Sequence, residues 1–69
     1  MNSNPNQVLR ENQSVVENEL VEARRKLDEV YNHIKKAMAY VDDETYNKLE
    51  TIRTQLVRVI LDIDAVIYV

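Results

Sequence analysis

Residues 37–49 read AMAYVDDETYNKL, and this stretch decides the fold. On both sides of it, apolar residues recur every three or four positions, which is the spacing of an amphipathic helix. Asp42, Asp43 and Glu44 interrupt that spacing, and the apolar stripe resumes beyond them one residue out of phase. Because a continuous helix would keep its phase, we interpret the acidic cluster as a turn. Asp42 or Asp43 can cap the helix that follows, and acidic side chains suit the positive end of its dipole.

The first helix is predicted over about residues 5–41. Asn4 can cap its N-terminus, Pro5 fits the first helical turn, and Gln7 can bond back to the cap. In heptad notation, the apolar residues occupy positions a (Leu20, Leu27, Ile34, Val41) and d (Leu9, Val16, Ala23, Val30, Ala37). Residues 1–4 are expected to form a flexible tail.

The second helix is predicted over about residues 44–67. Its apolar residues also occupy positions a (Leu49, Leu56, Ile63) and d (Ile52, Val59, Val66). The alternative is a strand over residues 57–69, which are rich in the β-branched and aromatic types that favour strands. We prefer a helix because the spacing runs unbroken from Leu49 to Val66, and a lone strand would have no partner in this chain.

Together the two helices predict an all-α fold, a long antiparallel hairpin that forms one domain over residues 5–69. With the turn centred on Asp43, residue i faces residue 86 − i. Leu27 then meets Val59, and every a or d position of the second helix finds one on the first. A three-residue connection is usual for such hairpins. The seam is therefore predicted to consist of the a and d rows.

Large apolar residues remain at position e after that seam has formed. Because the e rows of antiparallel helices lie on the same flank, they predict self-association into a homodimeric, coiled-coil-like four-helix bundle. The residues expected to carry it are Tyr31, Met38, Tyr46, Ile60 and Ile67.

A second set of apolar residues stays uncovered even in that dimer. Val8 and Val15 lie where the first helix extends beyond the second, and Leu61 and Tyr68 lie on the back of the second helix. They are expected to bind another protein, unless they contact further copies or simply face solvent. The predicted function is a small self-associating interaction module, acting as a regulator or inhibitor, or as a structural subunit that docks on a larger protein.

Composition excludes several other classes of function. The 69 residues include no Cys, which excludes disulfides and thiolate zinc sites, and no Gly, which excludes phosphate-binding loops. His33 and Glu29 could share a helix face, but two ligands do not make a zinc site. We expect no catalytic, cofactor or metal site, and hence no enzyme. Without an apolar signal or membrane-spanning segment, the expected location is the cytoplasm.

The alternative from a different class is RNA binding. In length and plan the chain resembles plasmid copy-number control proteins of the Rop type, whose helical hairpins dimerise and bind paired RNA hairpins. The resemblance is one of architecture alone and rests on no motif. Arg25 and Lys36 would carry such binding, because they share an outer face of the first helix with Asn32. A net charge of −3 argues against it, since affinity for nucleic acid depends on a basic surface.

Overall fold

The computed structural model describes residues 5–68 of the chain, with side chains from residue 10 to residue 68. It contains two long helices, α1 (Pro5–Ala37) and α2 (Asp43–Ile67), joined through a short 3₁₀ helix (Met38–Tyr40). The all-helical prediction is confirmed for these residues, and the strand alternative is wrong because α2 continues to Ile67. The predicted tail, the Asn4 cap and the side chain of Val8 lie outside what the structure describes.

The turn lies where the acidic cluster predicts it. Asp42 caps α2, with its Oδ1 accepting a hydrogen bond from the backbone N–H of Thr45 at 2.8 Å. The backbone carbonyl of Asp42 accepts the first helical bond, from the N–H of Tyr46. Asp43 and Glu44 follow in the first turn, where their charge suits the helix dipole. Hydrogen bonding from Thr45 lowers the pKa of Asp42, so the cap favours the ionised carboxylate.

The end of α1 differs from the prediction. Its α-helical geometry stops at Ala37 rather than at residue 41, and the chain tightens into the 3₁₀ helix before Val41 adopts an extended backbone. A left-handed C-cap would favour Gly, and this chain has none. Among the described residues no backbone φ is positive, so the turn is made with ordinary helical and extended conformations.

Two contacts between the helices establish their register. Arg24 donates from Nε to Asp64 Oδ1 at 2.8 Å, and Arg53 donates from Nη1 to the Tyr31 hydroxyl at 3.4 Å. The paired residue numbers add up to 88 and 84, on either side of the predicted 86. The helices are therefore antiparallel in the expected register, and the molecule is a rod of 63 × 16 × 13 Å.

The composition of the seam is where the sequence-based prediction is wrong. Met38 and Ile60 are the most buried of the described side chains, each 7% exposed, and both occupy position e. Val30 and Val59, at position d, remain 45% and 46% exposed. The rows that turn inward are position a (Leu20, Leu27, Ile34, Leu49, Leu56, Ile63) and position e (Arg24, Tyr31, Met38, Arg53, Ile60, Ile67).

Side-chain size explains this choice. Position e offers the bulkier groups, such as Tyr31 and Met38, whereas position d of α1 holds only Ala and Val within the described side chains. Because apolar stabilisation grows with the area removed from water, a two-helix contact gains more by burying the larger row. The Arg24–Asp64 bond also belongs to the e side of the seam and is half-buried there.

Candidate interaction surfaces

One face of the hairpin consists of small aliphatic side chains, and we call it the aliphatic face. Its residues occupy position d of both helices, which lie on the same side of an antiparallel pair. The larger ones are 45–62% exposed, so the hairpin leaves them half uncovered. The face comprises Val16, Ala23, Val30 and Ala37 of α1 with Ile52, Val59 and Val66 of α2.

The aliphatic face is regular along its length. In the observed register, Val66, Val59 and Ile52 lie level with α1 positions 20, 27 and 34, between the d residues of α1 at 16, 23, 30 and 37. The two helices therefore contribute alternately to one stripe. It covers about 21 residues of α1, or roughly 30 Å at the helical rise.

Polar side chains border the aliphatic face on both helices. They occupy position g, and all are exposed: Glu19, Lys26 and His33 on α1, and Lys48, Gln55 and Asp62 on α2. An apolar centre with a polar rim is the usual anatomy of a protein–protein interface.

The opposite face of the hairpin is charged and internally paired. Arg24 bonds both Asp28 and Asp64, which raises the pKa of its guanidinium, chiefly through Asp64. Arg53 bonds Glu50, and this hydrogen bond lowers the pKa of that carboxyl. Covering these ion pairs with an apolar partner would cost their hydration. The charged face is therefore a poor docking surface compared with the aliphatic face.

A shallow hollow of about 590 Å³ lies on the same side as the charged face, near the turn. Tyr31 lines it, with Lys35 Nζ 5.9 Å and Arg53 Cζ 6.0 Å from the centroid of the Tyr31 ring. Both cations are within the range of cation–π attraction. Tyr46 and Met38 also line the hollow, which is broadly open to solvent. The Tyr31 ring thus already makes cation–π contacts with Lys35 and Arg53 of the same chain.

The residues predicted for self-association lie mostly inside the hairpin. Met38 and Ile60 are its most buried side chains, Tyr31 and Ile67 are half-buried, and Tyr46 is 45% exposed. The premise that the e row is left over is therefore wrong for four of the five. The surface that the hairpin leaves exposed is the d row. The sequence feature that could have indicated this is the small size of its side chains, none of which is larger than Ile.

The residues predicted to bind another protein are exposed where they are described. Val15 and Leu61 are each 61% exposed and Tyr68 is 76% exposed, whereas the side chain of Val8 is not described. Leu61 is level with Arg25 of α1, ten residues or roughly 15 Å along the axis from Val15. Leu61 and Tyr68 share one side of α2, so the structure presents two separate patches rather than one.

The basic residues proposed for RNA differ in their surroundings. Arg25 is held by two carboxylates: Glu22 Oε1 lies 2.6 Å from its Nη2, and Glu29 contacts its Nη1. These bonds raise the pKa of Arg25 and lower that of Glu22. Lys36 is exposed and lines a small open hollow with Asn32 and Lys35. Since Glu22 and Glu29 offset the charge of Arg25, the face offers phosphate less attraction than its sequence suggests.

The class defined by this fold and these surfaces is a helical hairpin with an uncovered apolar face. Between residues 5 and 68 neither helix combines the length and apolarity needed to cross a membrane. No group of three or more potential metal-ligating His, Cys, Asp or Glu side chains occurs in the part of the chain that the structure describes. Comparison with known protein families, curated proteins and solved structures finds no match.

Proposed function

We propose that the protein is a non-catalytic helical interaction module whose first partner is a second copy of itself. The observation that carries the proposal is the aliphatic face. Two such faces packed together form a four-helix bundle in which each hairpin contributes one layer. Closed two-fold dimers are also the commonest form of small homo-oligomer.

Energetics support this role for the aliphatic face. Its five Val and Ile side chains are about half exposed, and covering the remainder is worth roughly 1 kcal/mol each. A dimer covers ten of them, for a gross gain of about 10 kcal/mol. This gross gain offsets the ~4–15 kcal/mol that two subunits lose in translational and rotational freedom when they associate. With the 16 Å width of the whole hairpin as its upper limit, a face roughly 30 Å long gives at most about 1,000 Å² for two copies, the lower bound of specific interfaces.

Beyond the dimer, we propose that the module docks on a larger protein as a regulator or structural subunit. Leu61 and Tyr68 support this step because both are well exposed and lie outside the aliphatic face; Leu61 borders the seam, in a hollow that Tyr31 and Ile60 also line. RNA binding is the weaker candidate, since Glu22 and Glu29 already pair with Arg25.

Self-association is tested by placing a charge at the centre of the aliphatic face. Val59→Glu would bury an unpaired carboxylate in the dimer, which is strongly unfavourable. We expect it to yield monomers in analytical ultracentrifugation at concentrations where the unmodified protein is dimeric.

The chain offers a closely matched control. Val21 has the same side chain and nearly the same exposure as Val59, 49% against 46%, but lies on the charged side of α1. Val21→Glu makes the same change in net charge and should leave the dimer intact. An unmodified protein that sediments as a folded monomer at 100 micromolar would overturn the proposal, as would equal loss of dimer in both variants.

A further inference from the structure

We infer that two copies pack with their hairpin turns at the same end, so that α1 of each subunit lies on α2 of the other. This inference rests on the proposed self-association and specifies its geometry. Two face-to-face arrangements have two-fold symmetry. In one the axis runs along the bundle and the turns coincide; in the other the axis runs across it and the turns lie at opposite ends.

Side-chain size on the aliphatic face favours coincident turns. The d row of α1 alternates Val with Ala, whereas that of α2 holds Ile52, Val59 and Val66. With coincident turns, the smaller row of each subunit meets the larger row of the other. With opposite turns, Ala and Val would face Ala and Val along α1, leaving gaps, and the larger side chains would crowd along α2. Interiors pack at uniform density, so matching small with large rows is favoured.

Axial register points the same way. A two-fold axis along the bundle leaves axial positions unchanged, so the partner's α2 keeps the levels seen within one hairpin. Its d residues then lie level with α1 positions 20, 27 and 34, midway between Val16, Ala23, Val30 and Ala37. Each side chain of one row enters the space between two of the other, as knobs enter holes in coiled coils.

The charges at position g also favour coincident turns. With coincident turns, the g row of α1 lies beside the g row of the partner's α2, and Lys26 is nearly level with the partner subunit's Asp62. With opposite turns and full overlap of the faces, Lys26 lies beside the partner subunit's Lys26 instead. Lys26 and Asp62 are both exposed in the single hairpin, which leaves them available to a second copy.

The two arrangements are distinguished by distances between spin labels. The chain has no Cys, so Asp43→Cys introduces a single labelling site at the turn. Coincident turns predict a label separation of about 20 Å between subunits, whereas opposite turns predict about 50 Å at 1.5 Å per residue. Arg58→Cys, near the axial midpoint on the outer surface, gives a second measurement that changes in the opposite direction. Coincident turns place the two α2 helices diagonally across the bundle with their labels on opposite outer surfaces, whereas opposite turns stack the two α2 helices about 10 Å apart with their labels on the same side. The separation at position 58 should therefore be longer with coincident turns than with opposite turns.

A charge exchange provides an independent measurement. Lys26→Glu should weaken the dimer about two- to tenfold, and adding Asp62→Lys should restore it, in the range expected for two exposed ion pairs per dimer. A dimer with a turn separation near 50 Å, or with no rescue in the double variant, would overturn the inference while leaving self-association standing. A protein that shows no dipolar signal at either site and sediments as a monomer would instead refute the proposed function itself.

Discussion

At the scale of single residues, Val59 and Ile60 are neighbours in sequence with opposite roles. Ile60 is 7% exposed and belongs to the core of the hairpin, whereas Val59 is 46% exposed and belongs to the aliphatic face. One step along a helix turns a side chain by about 100°, which is enough to move it from seam to surface. Truncating Ile60 should therefore affect the unfolding of the hairpin, whereas truncating Val59 should affect dimerisation.

Ile60→Ala should destabilise the hairpin by about 2–4 kcal/mol, because it leaves a cavity in the most buried part of a small core. Val59→Ala should cost well under 1 kcal/mol in dilute monomer and should act mainly on dimerisation. Urea unfolding followed by circular dichroism, at concentrations below and above the dimer transition, measures both effects. Equal destabilisation by the two variants in dilute solution would contradict the observed seam.

Asp42 makes the start of α2 sensitive to acid. Because its pKa is lower in the folded chain than the ordinary value of 3.8, its contribution to stability is present above that value. The contribution is lost as the pH falls through the lowered pKa. Asp42→Asn keeps an oxygen that can accept from Thr45 but does not titrate. We expect helicity to fall less steeply below about pH 4 in this variant than in the unmodified chain, as measured by circular dichroism.

At the scale of the helices, two unequal rods share one register. α1 has 33 residues and α2 has 25, so α1 extends beyond its partner at the end away from the turn. The Arg24–Asp64 bond ties the helices on the charged side, and the Asp42 cap fixes the start of α2. These two features fix the register between the helices. Which heptad rows face each other across the seam can be tested separately.

A pair of engineered cysteines can report which rows face each other. Leu27→Cys with Ile60→Cys should form an intrachain disulfide readily under mild oxidation, since both positions point into the seam. Leu27→Cys with Val59→Cys should oxidise more slowly, because position 59 points toward the aliphatic face. The rates can be followed by mobility in non-reducing gels. Faster disulfide formation between positions 27 and 59 would contradict the observed seam and support the predicted a/d seam.

At the scale of the whole molecule, burial is sparse and concentrated at two side chains. Twelve large hydrophobic residues remain exposed in the described hairpin, against two that are buried. Such a surface is typical of a subunit rather than of a free-standing domain. If two copies associate as proposed, the stability of the folded state should increase with protein concentration.

Substitutions outside the aliphatic face should distinguish binding to another protein from binding to RNA. Leu61→Asp should abolish recovery of partner proteins from the native host while helicity and dimerisation survive. Arg25→Glu with Lys36→Glu should have little effect on that recovery. Affinity capture followed by mass spectrometry measures both. Salt-sensitive binding to structured RNA, lost in the Arg25 and Lys36 variant, would favour the RNA-binding alternative instead.

Helix type, turn position and antiparallel register all follow from the order of residues along the chain. Each of them depends on local signals: a spacing of three and four, an acidic cap at Asp42, and a count from the turn that two cross-helix bonds bear out. The end of α1 was predicted less well, because the tightening of its last turn depends on how the chain leaves the helix without a glycine.

Only the tertiary structure decided which rows form the seam. Positions d and e lie about 60° and 40° on either side of position a, so a stripe that includes all three is compatible with two different seams. Periodicity does not choose between them. The choice depends on the size of groups such as Met38 and Ile60, and on the reach of Arg24 to Asp64, which meet only when the helices pack. That choice leaves Val30 and Val59 on the outside, where a second copy can cover them.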